Sequence, residues 1–200
     1  VIWSNPKAYS LNHSKIILLD NEIIISTWNL SYSTFTKNLD LFLFIKDSNL
    51  LFVLEKLFLS DFYFKKDSEY DTNLVLSPDY SRKKLEKIIN FSKESVKLYF
   101  PYIKDANLEE KIIEKAKLWI NISIIVSEDF YKEEDEVIKR LEKQGAKVEF
   151  LDKYKMHSKA ILVDDKYLFI WSINFSEYSL DKNREFGILL KNPQIIKEFL

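Results

Sequence analysis

The sequence predicts an α/β fold made of two related halves packed about a pseudo-two-fold, with mixed, largely parallel sheets flanked by helices. Three observations predict it. Strand-like apolar runs alternate with helical stretches from residue 74 onward, at spacings that suit βαβ units. A histidine motif is written twice, as His13-Ser14-Lys15-Ile16-Ile17-Leu18-Leu19-Asp20 and as His157-Ser158-Lys159-Ala160-Ile161-Leu162-Val163-Asp164. With 200 residues and 46% hydrophobic content, the chain can bury one sizeable core or two half-domains that share one.

In chain order, residues 1–66 make the first half, 67–73 a polar linker of mixed charge, and 74–200 the second half. Val1 to Leu11 is an irregular lead-in. Lys15 to Leu19 and Glu22 to Ser26 read as strands about an Asp20-Asn21 turn, rich in the Ile that suits a buried pleated surface. Leu39 to Ile45 reads as one strand. Ser48 is placed to cap a helix to about Leu59 whose stripe holds Leu50, Leu51, Leu54, Leu57 and Phe58. In the second half, strands are expected at Leu74 to Leu76, Val96 to Tyr99, Asn121 to Val126 and Lys147 to Leu151. Between them come helices at about Ser81 to Ser92, from an Asn107/Glu110 capping box to Lys117, and from Glu133 to Gln144, the last stopped by Gly145. Asn192-Pro193 opens a final helix.

Composition removes several function classes. The formal net charge is -1, so the whole chain lacks the electrostatic footprint of a non-specific nucleic-acid binder, although a local basic cleft is compatible with it. There are no cysteines, which excludes disulfides, thiolate metal sites and cysteine nucleophiles. The longest apolar runs, Leu41 to Ile45 and Leu50 to Leu54, fall far short of the roughly 20 residues that span a bilayer.

The motif carries the chemistry. The chain has only two histidines, and each has Lys at +2, an apolar run, and Asp at +7. For both to acquire that Lys and Asp by chance has a probability on the order of 1 in 10,000. The repeat continues: Thr27 matches Ser172, and Asn29 and Asn174 follow their histidines by 16 and 17 residues. Asn38 and Asn183 come nine residues later, each two positions before a carboxylate, Asp40 and Glu185. In a strand, residues i and i+2 share a face, so each His presents its Lys beside it. An imidazole, an ammonium and an amide in duplicate suit a tetrahedral anion held between two walls, and phosphate is the natural candidate. Lys15 and Lys159 would give charge-assisted hydrogen bonds, and Thr27, Asn29, Ser172 and Asn174 would add neutral donors to the phosphate. One His can attack phosphorus while the other protonates the leaving oxygen, with Asp40 and Glu185 fixing the ring tautomers. A zinc site fits poorly, because the Lys at +2 would set a cation beside the metal. Trp28 and Trp171 flank the amide positions, either lining the mouth of the site or packing as ordinary aromatics.

On these residues the chain resembles the phospholipase D superfamily, whose hallmark is a duplicated H-x-K-x4-D motif. His13, Lys15 and Asp20 match the first copy, and His157, Lys159 and Asp164 the second. Ser172-Ile173-Asn174 resembles the family's G-S-x-N segment, and Asn183-Arg184-Glu185 its N-x-E. The resemblance implies these six motif residues as the catalytic set, no cofactor, no metal, and a phosphodiesterase with a phosphohistidine intermediate between two halves. His13 is the expected nucleophile and His157 the expected general acid. Trp171 and Ser26 stand where the family often has glycine, and Asp40 replaces the usual Glu, which bears on how firmly the first-half His is oriented.

The motif fixes chemistry better than substrate. Tyr99-Phe100-Pro101-Tyr102 resembles the bacterial phospholipase D and cardiolipin-synthase branch, so the expected substrate is a phospholipid whose phosphatidyl group is cleaved or transferred, with peripheral membrane contact and no obligate protein partner. A nuclease of the same superfamily is the alternative, and a non-catalytic phosphate-binding scaffold the third. About 84 residues separate Asn73 from His157, whereas only Val1 to Asn12 precede His13, so the first half is expected to be truncated by roughly 70 residues. Cytoplasmic, membrane-peripheral and secreted locations all stay open on that expectation.

Overall fold

The computed structural model describes residues 8–65, 73–128 and 135–200. The lead-in through Lys7, most of the expected linker and the first two residues of the helix expected from Glu133 lie outside them. The first sheet is antiparallel, in the order β1 (Ile16–Leu18), β2 (Ile23–Ser26), β4 (Phe42–Ile45). Helix α2 (Ser48–Phe62) packs Leu54 and Leu57 against Ile23, Ile25 and Leu43 of this sheet. Its cap is Asp47 rather than Ser48: the carboxylate accepts from the N–H groups of Asn49 and Leu50 at 2.9 Å each. The same cluster takes in Leu74, Leu76, Phe186 and Ile188, so the two expected halves share a core.

The strand expected over Leu39 to Ile45 is broken, and the break positions the site. After the short helix α1 (Tyr32–Thr36), β3 (Asn38–Leu39) pairs in parallel with β10 (Lys155–Met156) instead of joining the first sheet. The chain changes sheets across Asp40 and Leu41, which leaves Asp40 facing the second half.

The second sheet has seven strands in the order β5 (Leu74–Ser77), β14 (Glu185–Leu190), β12 (Tyr167–Trp171), β11 (Ala160–Val163), β6 (Ser95–Tyr99), β8 (Asn121–Ser127), β9 (Lys147–Leu151). A sheet that is largely parallel was the expectation, and it is corrected: four of the six neighbour pairs are antiparallel, and parallel pairing is confined to β6-β8-β9. The reason lies in the motif strand. β11 folds back on β12 through the three residues Asp164 to Lys166, in which Asp164 and Asp165 both have positive φ, 53° and 49°, and the Lys166 N–H donates to Val163 O at 3.0 Å. That is a type I′ hairpin, in which Asp tolerates the left-handed region. The crossover pattern of strand and helix holds only from β6 to β9, through α4 (Ala106–Lys117) and α5 (Asp135–Lys143).

Helices α3 (Ser81–Asn90), α4 and α5 supply the main core, in which Ile161, Val163, Phe169 and Trp171 are buried. The cap of α4 is Asp105, accepting from Leu108 N–H at 3.0 Å, rather than Asn107. Gly145 follows α5 at φ 95°, the left-handed stop its position calls for. A short strand pair, β13 (Phe175–Ser176) with β7 (Ile103–Lys104), leads into α6 (Glu177–Asp181), and Asn192 caps α7 (Pro193–Phe199). Among the described residues no helix is long and apolar enough to cross a membrane.

Gly187 in β14 lies opposite Trp171, and a Cβ there would sit 2.6 Å from the Trp171 Cβ and 3.2 Å from Ile170 O. Gly187→Ala should therefore destabilise by about 1–3 kcal/mol through overpacking. Thermal denaturation checks this, and an unchanged Tm would contradict the tight approach.

Candidate active site

The two histidines are docked by backbone first. The His13 N–H donates to Arg184 O at 2.8 Å, and the His157 N–H donates to Leu39 O at 3.1 Å. Arg184 and Leu39 are the residues immediately before Glu185 and Asp40. Each histidine is thus registered against the segment of the other half that carries a carboxylate.

The rings complete the exchange. His13 Nδ1 lies 3.0 and 2.9 Å from the two carboxylate oxygens of Glu185, and His157 Nδ1 lies 2.7 Å from Asp40 Oδ1. Both carboxylates are buried, with side-chain exposures of 0% and 2%, so their charge is little screened. A carboxylate on Nδ1 holds the proton there and leaves Nε2 for chemistry. Replacement of the usual Glu by Asp40 bears on the orientation of His157, not of His13.

Thr27 and Ser172, expected as phosphate donors, have another job. Thr27 Oγ1 donates to Asp40 Oδ1 at 2.8 Å, and Ser172 Oγ donates to Glu185 Oε2 at 2.6 Å. A hydroxyl has one proton, and here it is committed to the carboxylate. The result is a pair of relays, Thr27–Asp40–His157 and Ser172–Glu185–His13, each crossing between halves at the imidazole. Burial opposes ionisation of Asp40, but the hydrogen bonds from His157 and Thr27 outweigh it and hold the carboxyl below its ordinary range.

The lysines stand immediately before β1 and β11, two residues after their histidines. Lys15 Nζ donates to His13 O at 2.8 Å, and Lys159 Nζ donates to His157 O at 2.6 Å. Lys159 also reaches Thr27 O across the halves at 3.4 Å and is fully buried. Desolvation pulls the Lys15 ammonium down to about 8 against the opposing pull of Glu185 and Asp40. Desolvation pulls Lys159 down to about 7, with Asp40 opposing and Lys15 adding to the fall. The two lysines and two carboxylates therefore sense one another, which places both motif copies in one electrostatic site.

The motif aspartates are elsewhere. Asp164 sits at the far end of β11 from Lys159, in the hairpin turn, where its carboxylate accepts from the N–H groups of Lys93, Glu94 and Ser95 at 2.8–3.2 Å. Asp20 occupies the exposed tip between β1 and β2. Their expected place in the catalytic set is corrected to that of turn residues. The signal was present in the sequence, as Asp-Asp and Asp-Asn between apolar runs. Asn29 and Asn174 start the turns into α1 and α6, their carbonyls accepting from Ser31 N–H at 2.7 Å and Ser176 N–H at 2.8 Å. Trp171 is fully buried in the main core, and Trp28 packs on Phe35 and Phe42 at 5.2 and 4.8 Å between ring centroids.

Arg184 is the contributor that sequence reasoning passed over. It is buried beside Glu185, its guanidinium pairs with Asp61 of α2 at 2.9 Å, and its carbonyl holds His13. Its position inside Asn183-Arg184-Glu185 was the available clue. Among the described residues no three His, Cys, Asp or Glu side chains converge as a metal site.

A mixed sheet under helices with paired His-Lys motifs defines a phospholipase D-like protein. Residues 85–200 match the family described as cardiolipin synthase, PLD-like domain, and the chain belongs to that family. No curated protein matches it. Its fold is similar to that of Nuc from Salmonella typhimurium, a phospholipase D family member, at 18% identity and a TM-score of 0.58 over 63% of this chain and 86% of that one. Phosphatidylserine synthase from Haemophilus influenzae aligns at 15% identity and a TM-score of 0.69 over 92% of this chain and 58% of its own. Polyphosphate kinase from Porphyromonas gingivalis aligns at 16% identity and a TM-score of 0.75 over 99% of this chain, which spans 34% of that kinase.

The buried lysines make stability depend on pH. Between about 7 and the ordinary value of 10.5, the unfolded chain keeps a proton on Lys159 that the folded chain has released. The cost of the buried ammonium is thus fully present below pH 7 and is relieved as pH rises, so Tm should climb from pH 6 to 9. Lys159→Met should flatten that climb, leaving the smaller contribution of Lys15; a slope identical to that of the wild type in calorimetric scans would contradict the burial of the ammonium.

Proposed function

We propose that the chain is a phosphodiesterase of the phospholipase D type that cleaves or transfers the phosphatidyl group of phospholipids through a phosphohistidine intermediate. The observation that carries this is the pair of imidazoles, each held at Nδ1 by a buried carboxylate of the opposite half and each accompanied by a lysine, Lys15 half-buried and Lys159 fully buried. His13 Nε2 attacks phosphorus, and the bond to the departing alcohol breaks as His157 Nε2 gives that oxygen a proton. Water or a second alcohol then loses a proton to His157 and attacks the phosphohistidine, releasing product and restoring His13. Lys15 and Lys159, with Asn29 and Asn174 at the two lips, hold the phosphoryl oxygens, and the bound anion restores to the lysines the charge that burial has weakened.

The phospholipid substrate is supported by the cardiolipin synthase description of the family and by the resemblance to a phosphatidylserine synthase over most of the chain. A nuclease is the second reading, favoured by the resemblance to Nuc. The net charge of -1 favours the lipid over a polyanionic strand. Peripheral contact with a membrane would accompany the lipid reading.

Vesicles of labelled phospholipid, with and without ethanol and with EDTA present throughout, separate these readings when run beside a labelled single-stranded DNA. The expected products are phosphatidic acid and, with ethanol, phosphatidylethanol. His13→Asn or His157→Asn should lower the rate by about 10³-fold or more, and label trapped by acid-free quenching should sit on His13. Cleavage confined to the DNA would establish the nuclease instead, and label on His157 would reverse the two roles.

A further inference from the structure

At the end of the second sheet opposite the catalytic residues lies a cavity of about 680 Å³. Glu185 opens β14 at the catalytic end and Leu189 near its other end lines the cavity, so the two sites stand about 13 Å apart at strand rise. Five lysines line it: Lys84 and Lys87 of α3, Lys93 before β6, Lys166 after the β11–β12 turn, and Lys191 after β14. In a chain of net charge -1 this is a concentration of one sign. Two carboxylates nearby offset part of it. Asp164 also lines the cavity but is committed to three backbone N–H groups, and Glu94 meets Lys166 only at 3.8 Å on the open surface. Lys84 donates to Leu74 O, which leaves four ammonium groups oriented by weaker contacts.

The cavity also presents aromatic faces. Phe91 is 61% exposed and Tyr167 38% exposed, and both line it. Lys87 stands 5.6 Å from the Phe91 centroid and Lys191 stands 5.8 Å from the Tyr167 centroid, so each ring borders a cation. A lone phosphate would fill a small part of such a volume and use neither ring. Four ammoniums match the charge of two or three linked phosphates, and exposed rings suit a flat base. The size lies in the range of small-molecule sites.

We propose that this cavity is a second binding site, separate from the catalytic centre, that takes a nucleoside di- or triphosphate with its phosphates on Lys87, Lys93, Lys166 and Lys191 and its base against Phe91 or Tyr167. The assignment does not rest on the lipid substrate, since none of these residues belongs to the catalytic machinery.

Equilibrium dialysis of the full chain with labelled ATP, in parallel with tripolyphosphate and oligo(dT), tests it. Saturable binding of ATP is expected, weakened about 10-fold or more in the double variant Lys87→Ala/Lys191→Ala and retained in Lys15→Met/Lys159→Met. Phe91→Ala combined with Tyr167→Ala should weaken ATP and leave tripolyphosphate unchanged. Loss of binding in the Lys15/Lys159 variant would assign the nucleotide to the catalytic centre and overturn the proposal. So would equal affinity for tripolyphosphate and ATP, oligo(dT) binding far tighter than ATP, or no saturation below about 1 mM, the weak end of specific recognition.

Discussion

Everything at the site depends on one exchange: each imidazole takes its orienting carboxylate from the opposite half. His13 needs Glu185, and His157 needs Asp40. The exchange is prepared by backbone, because Arg184 O and Leu39 O hold the histidine N–H groups one residue before those carboxylates. It is reinforced by packing, because Leu54, Leu57, Phe186 and Ile188 share a cluster under α2. Neither half can present a tautomer-locked imidazole alone. The pair of imidazoles and the interface between halves are therefore one structural unit, and a shift of β14 or β3 disturbs a ring of the other half.

The second constraint is charge. Two carboxylates and two lysines are drawn out of water within one site, and burial opposes ionisation in both the lysines and Asp40. With both lysines protonated, the charges of the two lysines and two carboxylates cancel. A phosphodiester brings one negative charge, and the protonated imidazole that a general acid must be brings one positive. On the proposed function, substrate and catalytic proton would enter as a balanced pair, and the anion would relieve the lysines of the burial penalty that depresses them. A bound phosphate would, on that same proposed function, offset the cost of carrying desolvated ammonium groups in the free protein.

Much of this was legible in the sequence. The duplicated His and Lys and the downstream carboxylates pointed to the residues that the structure brings together, since they recur at fixed intervals for which packing alone gives no reason. Two things were not legible. Pairing across halves is a tertiary fact: nothing local in Asn38-Leu39-Asp40 says that β3 will leave its own sheet for β10. The hydroxyls of Thr27 and Ser172 were correctly associated with the site but assigned to phosphate, because sequence spacing does not reveal that their single protons are already taken. Asp20 and Asp164 were drawn into the catalytic set by the motif, although aspartate between two apolar strands is first a turn residue, as the positive φ of Asp164 attests. The parallel sheet was overestimated for the same reason, since a hairpin at that turn reverses the motif strand.

The most direct test uses the scarcity of histidine. With only two in the chain, nitrogen-15 spectra of histidine-labelled protein resolve each ring. The crossed arrangement predicts both as Nδ1–H tautomers, with Asp40→Asn displacing the His157 signals alone and Glu185→Gln displacing those of His13 alone. If Asp40→Asn moved His13 and left His157 in place, each half would orient its own imidazole and the exchange would be refuted.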